Sequence, residues 1–215
     1  VRRPLVLVGL LAVALLAAAA GLVWAAAAGV GPATADPAAL ADALTDRTST
    51  LTRTAVVLTT IGSTVAMAVL AVVVGGVLWW RGHRLEGGWL VGTMLTASAV
   101  FTLVKRLVDR PRPPEAARLV QVGNESLPSG HATMSAAVVG ALVVLAWPYL
   151  HGVWRVIVPL AALVWIAGVG LTRVYLGVHW FSDVLAGWAT GFAWLAVCTA
   201  VLLWLRPMTP VTAPG

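Results

Sequence analysis

Three polar clusters interrupt an otherwise apolar chain: Lys105-x6-Arg112-Pro113, Pro128-Ser129-Gly130-His131, and Thr172-Arg173-x5-His179-x3-Asp183. They hold the only lysine, two of the four histidines and the only carboxylate after Glu125. These residue types suit chemistry on an anion. Arg offers a planar fork to paired phosphate oxygens, and Lys adds a compact point charge. Ser129 is a good N-cap and Gly130 admits close backbone approach. An apolar helix starting there would aim free N–H groups at a bound anion, with His131 in its first turn. His179 and Asp183 are four residues apart, which places them on one helical face. The carboxylate can hold one ring N–H and leave the other nitrogen as a nucleophile. A structural ion pair between Asp183 and Arg173 is the simpler alternative, but it leaves His179 unexplained. Pro111 and Pro113 stop a helix and allow the chain to turn Arg112 back toward the other clusters.

The elements that must position these groups are membrane helices. The sequence is 60% hydrophobic and 10% charged, with mean hydropathy +0.93. Those values exclude an ordinary soluble domain and predict an all-α, multi-spanning bundle forming one domain over residues 1–215. The net charge of +6 would suggest nucleic acid in a soluble chain. Here no basic stripe is interleaved with aromatics, and Arg at helix ends sets topology instead. Six stretches approach the roughly 20 apolar residues a span needs: Leu5–Ala28, Ala55–Trp80, Gly88–Val104, Gly130–Leu150 (most apolar over Ala132–Trp147), Trp154–Leu171 and Trp180–Leu205. No period-2 alternation supports a β-barrel.

Trp79, Trp80, Trp89, Trp147, Trp154, Trp180 and Trp204 fall near span ends, as an interfacial belt would require. Gly187-x3-Gly191 is a small-residue motif, weak as evidence for a dimer face in so glycine-rich a chain. The first apolar run is about twice the usual signal-peptide core of 7–15 residues, so a retained helix is expected. Residues 36–53 form the longest polar stretch outside the clusters. They read as a solvated linker or, with Leu40, Leu44 and Leu51 near one face, as an interfacial helix. Cys198 is the only cysteine and excludes a disulfide framework.

Span parity joins the clusters. The first two flank the connection between spans three and four, and the third lies at the connection between spans five and six, so all three emerge on one face. Arg2, Arg3, Arg81, Arg84, Arg155 and Arg206 mark the opposite face as cytoplasmic, and Arg106, Arg110 and Arg118 count against that assignment unless they serve the site. The site is therefore expected on the extracytoplasmic side of the cell membrane. No cluster of carboxylates accompanies the basic groups, which predicts no metal and no cofactor.

The clusters resemble the three-part signature of the type 2 phosphatidic acid phosphatase (PAP2) superfamily, K-x6-RP, PSGH and SR-x5-H-x3-D. The single departure is Thr172 in place of Ser, which keeps a hydroxyl. The resemblance implies a bundle of six transmembrane helices with the active site at one membrane face. It implies that His179 attacks phosphorus, that Asp183 orients it, and that His131 protonates the leaving oxygen and then activates water. Lys105, Arg112, Arg173, Ser129, Gly130 and Thr172 would hold the phosphoryl oxygens. Membrane members of this family act on lipid phosphates, among them polyprenyl pyrophosphates, phosphatidylglycerol phosphate, phosphatidate and diacylglycerol pyrophosphate. A lipid phosphotransferase could use the same phosphohistidine. A transporter with an Asp–His relay is the alternative outside enzymes, but it would place its polar groups at mid-bilayer. The lipid tail and the oligomeric state are not legible in the sequence.

Overall fold

The computed structural model describes residues 3–206 and is all-helical there. Its eight α-helices are α1 (Arg3–Ala28), α2 (Asp36–Thr45), α3 (Ser49–Ile61), α4 (Thr64–Trp80), α5 (Arg84–Val108), α6 (Gly130–Ala146), α7 (Trp154–Tyr175) and α8 (Phe181–Leu205). Five helices are long and apolar enough to cross a membrane, and α3 with α4 makes a sixth span bent by 43°. The protein is thus a multi-pass membrane bundle. Arg2, one of the expected topology markers, lies outside the described residues.

The second span was expected as one helix over 55–80 and is instead two, for a local reason. Ser63 caps α4 by accepting from Ala66 N at 3.1 Å, and a Cβ on Gly62 would collide with Val169 of α7. The break therefore sits where α7 presses closest. Other spans run longer than their apolar cores. Helix α5 continues to Val108 and ends at Asp109, whose φ of 48° is the left-handed cap that stops a helix ahead of the prolines. Helix α7 continues to Tyr175 and so carries Thr172 and Arg173 in its last turns.

Small residues set the packing. Ala12, Ala19 and Ala26, spaced seven apart, are the buried seam of α1, which lies along α8. Gly187 and Gly191 do not mark a free face. A Cβ at Gly187 would come within 2.8 Å of Ser129 O, and one at Gly191 within 2.5 Å of Thr133 O. The motif is the close contact between α8 and α6, glycine against the backbone and alanine methyls of α6. The inner core is Leu90, Met94, Met134, Val138 and Leu195, contributed by α5, α6 and α8.

Residues 36–53 are not a solvated linker. They form α2 and the start of α3, and Arg47 donates to Ala117 O at 2.7 Å and Tyr175 O at 2.9 Å. The segment is bonded to the connections that carry the clusters. The tryptophan belt is also smaller than expected. Trp80 is 85% exposed, but Trp89 is buried and donates to Cys198 O, while Trp180 donates to Pro111 O.

Candidate active site

Two helix ends and two helix starts meet on one face. Helices α5 and α7 bring Lys105 and Arg173 in their last turns, where a cation complements the helix dipole. Helices α6 and α8 bring His131 and Asp183 in their first turns, and His179 lies just ahead of α8. The Gly187–Gly191 contact holds the starts of α6 and α8 together, and Ser129 N donates to Asp183 O at 3.0 Å. Ser129 caps α6 with its side chain toward Ala132 N, as its residue type predicts.

The geometry fixes the His179 tautomer. Nε2 lies 3.1 Å from Arg112 Nη1, and Nδ1 lies 3.4 Å from Asp183 Oδ2. A guanidinium only donates, so Nε2 carries the lone pair and Nδ1 carries the proton, facing the carboxylate. At 3.4 Å the second contact is adjacency rather than a tight hydrogen bond. Burial pushes the ring down to about 3, against the pull of Asp183, so it is neutral at neutral pH. Burial likewise lowers Arg112 to about 10, which leaves it a cation.

Asp183 is fully buried and saturated with donors. Its Oδ2 accepts from Ser126 Oγ at 2.5 Å and from Trp180 N at 2.9 Å, and its Oδ1 accepts from Arg110 Nη1 at 2.5 Å. The simpler expectation, an ion pair with Arg173, is therefore replaced by a pair with Arg110. Arg173 instead bonds Thr59 Oγ1 at 2.6 Å, and its buried Nε has no partner among the described residues. Lys105 Nζ donates to the carbonyls of Glu125 and Ser126, and Arg112 is gripped by Asn124 through Nε and Nη2. His131 is partly exposed and within electrostatic reach of Arg173, His179, Arg112 and Lys105.

All three clusters are thus brought together. Thr172 is adjacent, but its hydroxyl proton is given to Val169 O at 2.6 Å. Sequence reasoning missed Asp36, Arg110, Ser126 and Asn124. Of these only Arg110 carried a signal, as a basic residue on the face where topology disfavours one.

The fold and these side chains define an all-helical, multi-pass membrane protein with a buried His–Asp pair ringed by cations at one end of the bundle. Residues 86–207 match the family description "PAP2 superfamily", and the chain belongs to that superfamily. It is 28% identical over 137 residues to phosphatidylglycerophosphatase B of Bacillus subtilis and 32% identical over 125 residues to lipid A 1-phosphatase of Rhizobium johnstonii. The matches take in 62% and 54% of this chain, and 66% and 47% of those proteins' own lengths. It is 37% identical over 116 residues to decaprenylphosphoryl-5-phosphoribose phosphatase of Mycobacterium tuberculosis, covering 50% of this chain and 58% of that protein. Among solved structures it resembles a transmembrane PAP2 type phosphatidylglycerolphosphate phosphatase from Bacillus subtilis. The TM-score is 0.81 at 26% identity, over 92% of this chain and 98% of that one.

Proposed function

We propose that the protein is a metal-independent lipid phosphate phosphatase working through a phosphohistidine, with its site on the extracytoplasmic side of the plasma membrane. The observation that carries the reading is the placement of His179, with Nε2 3.1 Å from Arg112 Nη1 and Nδ1 3.4 Å from Asp183 Oδ2. In the first step Nε2 attacks phosphorus, the bond to the lipid oxygen breaks, and His131 gives that oxygen a proton. In the second, water attacks phosphorus, His131 takes its proton, and the N–P bond breaks to release phosphate. Lys105, Arg112 and Arg173 offset the charge on the phosphoryl oxygens, together with the N–H groups at Gly130 and the Ser129 hydroxyl. Arg112 leaves His179 to do so, and the unpartnered Arg173 Nε is a donor ready for an anion.

Metal independence is supported by the state of the nearest acids, since Asp183 and Asp36 are both engaged by Arg110. The lipid class is supported by the three relatives, each a phosphatase named for a phosphorylated lipid. The extracytoplasmic placement is supported by the arginines of the opposite face, Arg81, Arg84, Arg155 and Arg206, under the positive-inside rule.

The test is phosphate release from phosphatidate, phosphatidylglycerol phosphate and a polyprenyl pyrophosphate in detergent with EDTA. The wild type is expected to turn over at least one of them. His179→Ala should lose at least about 10³-fold and His131→Ala about 10²- to 10⁴-fold. Activity abolished by EDTA, or preserved in His179→Ala, overturns the mechanism.

A further inference from the structure

The reaction as proposed makes no use of Arg110 or Asp36, yet they form a bonded charged pair at the site. Arg110 is nearly buried and spans two carboxylates, Asp183 Oδ1 at 2.5 Å and Asp36 Oδ2 at 2.8 Å. Asp36 is bonded in turn to α8: its Oδ1 accepts from Ser182 N at 2.8 Å and its Oδ2 from Ser182 Oγ at 2.6 Å. Arg110 Nη1 also donates to Ser182 Oγ at 2.9 Å, and the guanidinium lies 5.9 Å from the centre of the Trp180 ring. Whereas the terminal nitrogens of Arg112 meet only carbonyls, an amide oxygen and a neutral ring, both of those of Arg110 are committed to carboxylates. Such a cation is poorly placed to take a phosphate and well placed to hold a carboxylate.

We infer that Asp36 and Arg110 are a positioning pair for Asp183, and that the connection between the first two spans thereby belongs to the catalytic apparatus. The inference rests on the phosphohistidine reading above. Asp183 has two oxygens: Oδ2 faces His179, and Oδ1 is fixed by Arg110. Holding Oδ1 sets the rotation of the carboxylate and hence the direction in which Oδ2 meets the ring. Arg110 also supplies the positive charge that lets two carboxylates share one buried site; without it Asp36 and Asp183 would repel. Asp36 in turn prevents the long Arg110 side chain from swinging out to water or to the substrate.

The experiment compares wild type, His179→Ala, Arg110→Gln, Arg110→Lys, Asp36→Asn and the double variant Arg110→Gln/Asp36→Asn in detergent, on whichever lipid phosphate the wild type hydrolyses. For each, kcat, KM, the inhibition constant of orthovanadate and the thermal unfolding midpoint are measured. Arg110→Gln should lower kcat by about 10- to 100-fold, the range in which partners of a directly acting group operate. KM and vanadate inhibition should stay within about threefold, a split that loss of a phosphate ligand would not give, and the unfolding midpoint should stay near the wild-type value, which a misfolded fraction would not. Arg110→Lys should recover part of the loss. Asp36→Asn preserves shape and should lose less, about 3- to 10-fold. The double variant should be no slower than Arg110→Gln, because Asp36 has nothing to hold once the cation is gone.

Arg110→Gln with wild-type kcat overturns the inference, as does a rise in KM and vanadate constant that matches the fall in kcat. Additive losses in the double variant also overturn it. A wild type without phosphatase activity, or a fully active His179→Ala, marks failure of the underlying functional reading instead.

Discussion

On the face that holds the site, Arg110, Arg112 and Arg173 put their N–H groups into carboxylates, carbonyls and a hydroxyl. On the opposite face Arg84 and Arg155 lie over the rings of Trp79 and Trp147, at 5.9 and 5.6 Å from their centres. Trp79 and Trp147 are exposed, in keeping with a membrane boundary. The residue types are the same, and Arg110 shares the tryptophan contact through Trp180; what separates the two sets is burial. An arginine at a bilayer edge serves topology by default. One drawn into the bundle end must be explained by what it holds.

That contrast can be broken experimentally. The largest expected effect is at Arg173, whose Nε lacks a partner among the described residues. Arg173→Gln should lower kcat/KM for lipid phosphate by about 10²- to 10³-fold, as loss of one aimed donor does. Wild-type turnover in that variant would remove Arg173 from the phosphate site. A smaller effect, and one on stability, is expected at the helix contact beneath the site. Gly191→Ala sets a methyl within 2.5 Å of Thr133 O and should cost about 1–3 kcal/mol, seen as a lower unfolding midpoint in detergent. An unchanged midpoint would show that α6 and α8 can separate freely. Smallest of all, Arg84→Ala on the opposite face should cost about 0.5–1 kcal/mol and leave phosphate release within about twofold. A large loss of activity there would erase the distinction between the two faces.

Much of this arrangement was legible in the sequence. The clusters were recognisable because each is short, and because Pro, Gly and charged residues are conspicuous among apolar ones. Helix spacing paired His179 with Asp183, and span parity put the clusters on one face. What escaped was long-range. Asp36 meets Arg110 across 74 positions and Ser182 across 146, and no local pattern announces such contacts. Asp36 looked solvated because it opens the longest polar stretch outside the clusters, although it is only 3% exposed. The bend in the second span escaped for a similar reason: Gly62 and Ser63 are unremarkable until Val169 is brought against them. The Gly187–Gly191 motif was visible, but its partner, the start of α6, was not.

The contact between α6 and α8 has a consequence for how such a protein can diversify. The gap between the helix starts that carry His131 and Asp183 is set by small groups: Gly187 and Gly191 lie against the carbonyls of Ser129 and Thr133 and the methyls of Ala132 and Ala136. Substitutions on the outward faces of α4, α5 or α7 leave that gap unaltered. Selectivity and reactivity are therefore free to evolve along separate surfaces, one tolerant of change and one that allows almost none.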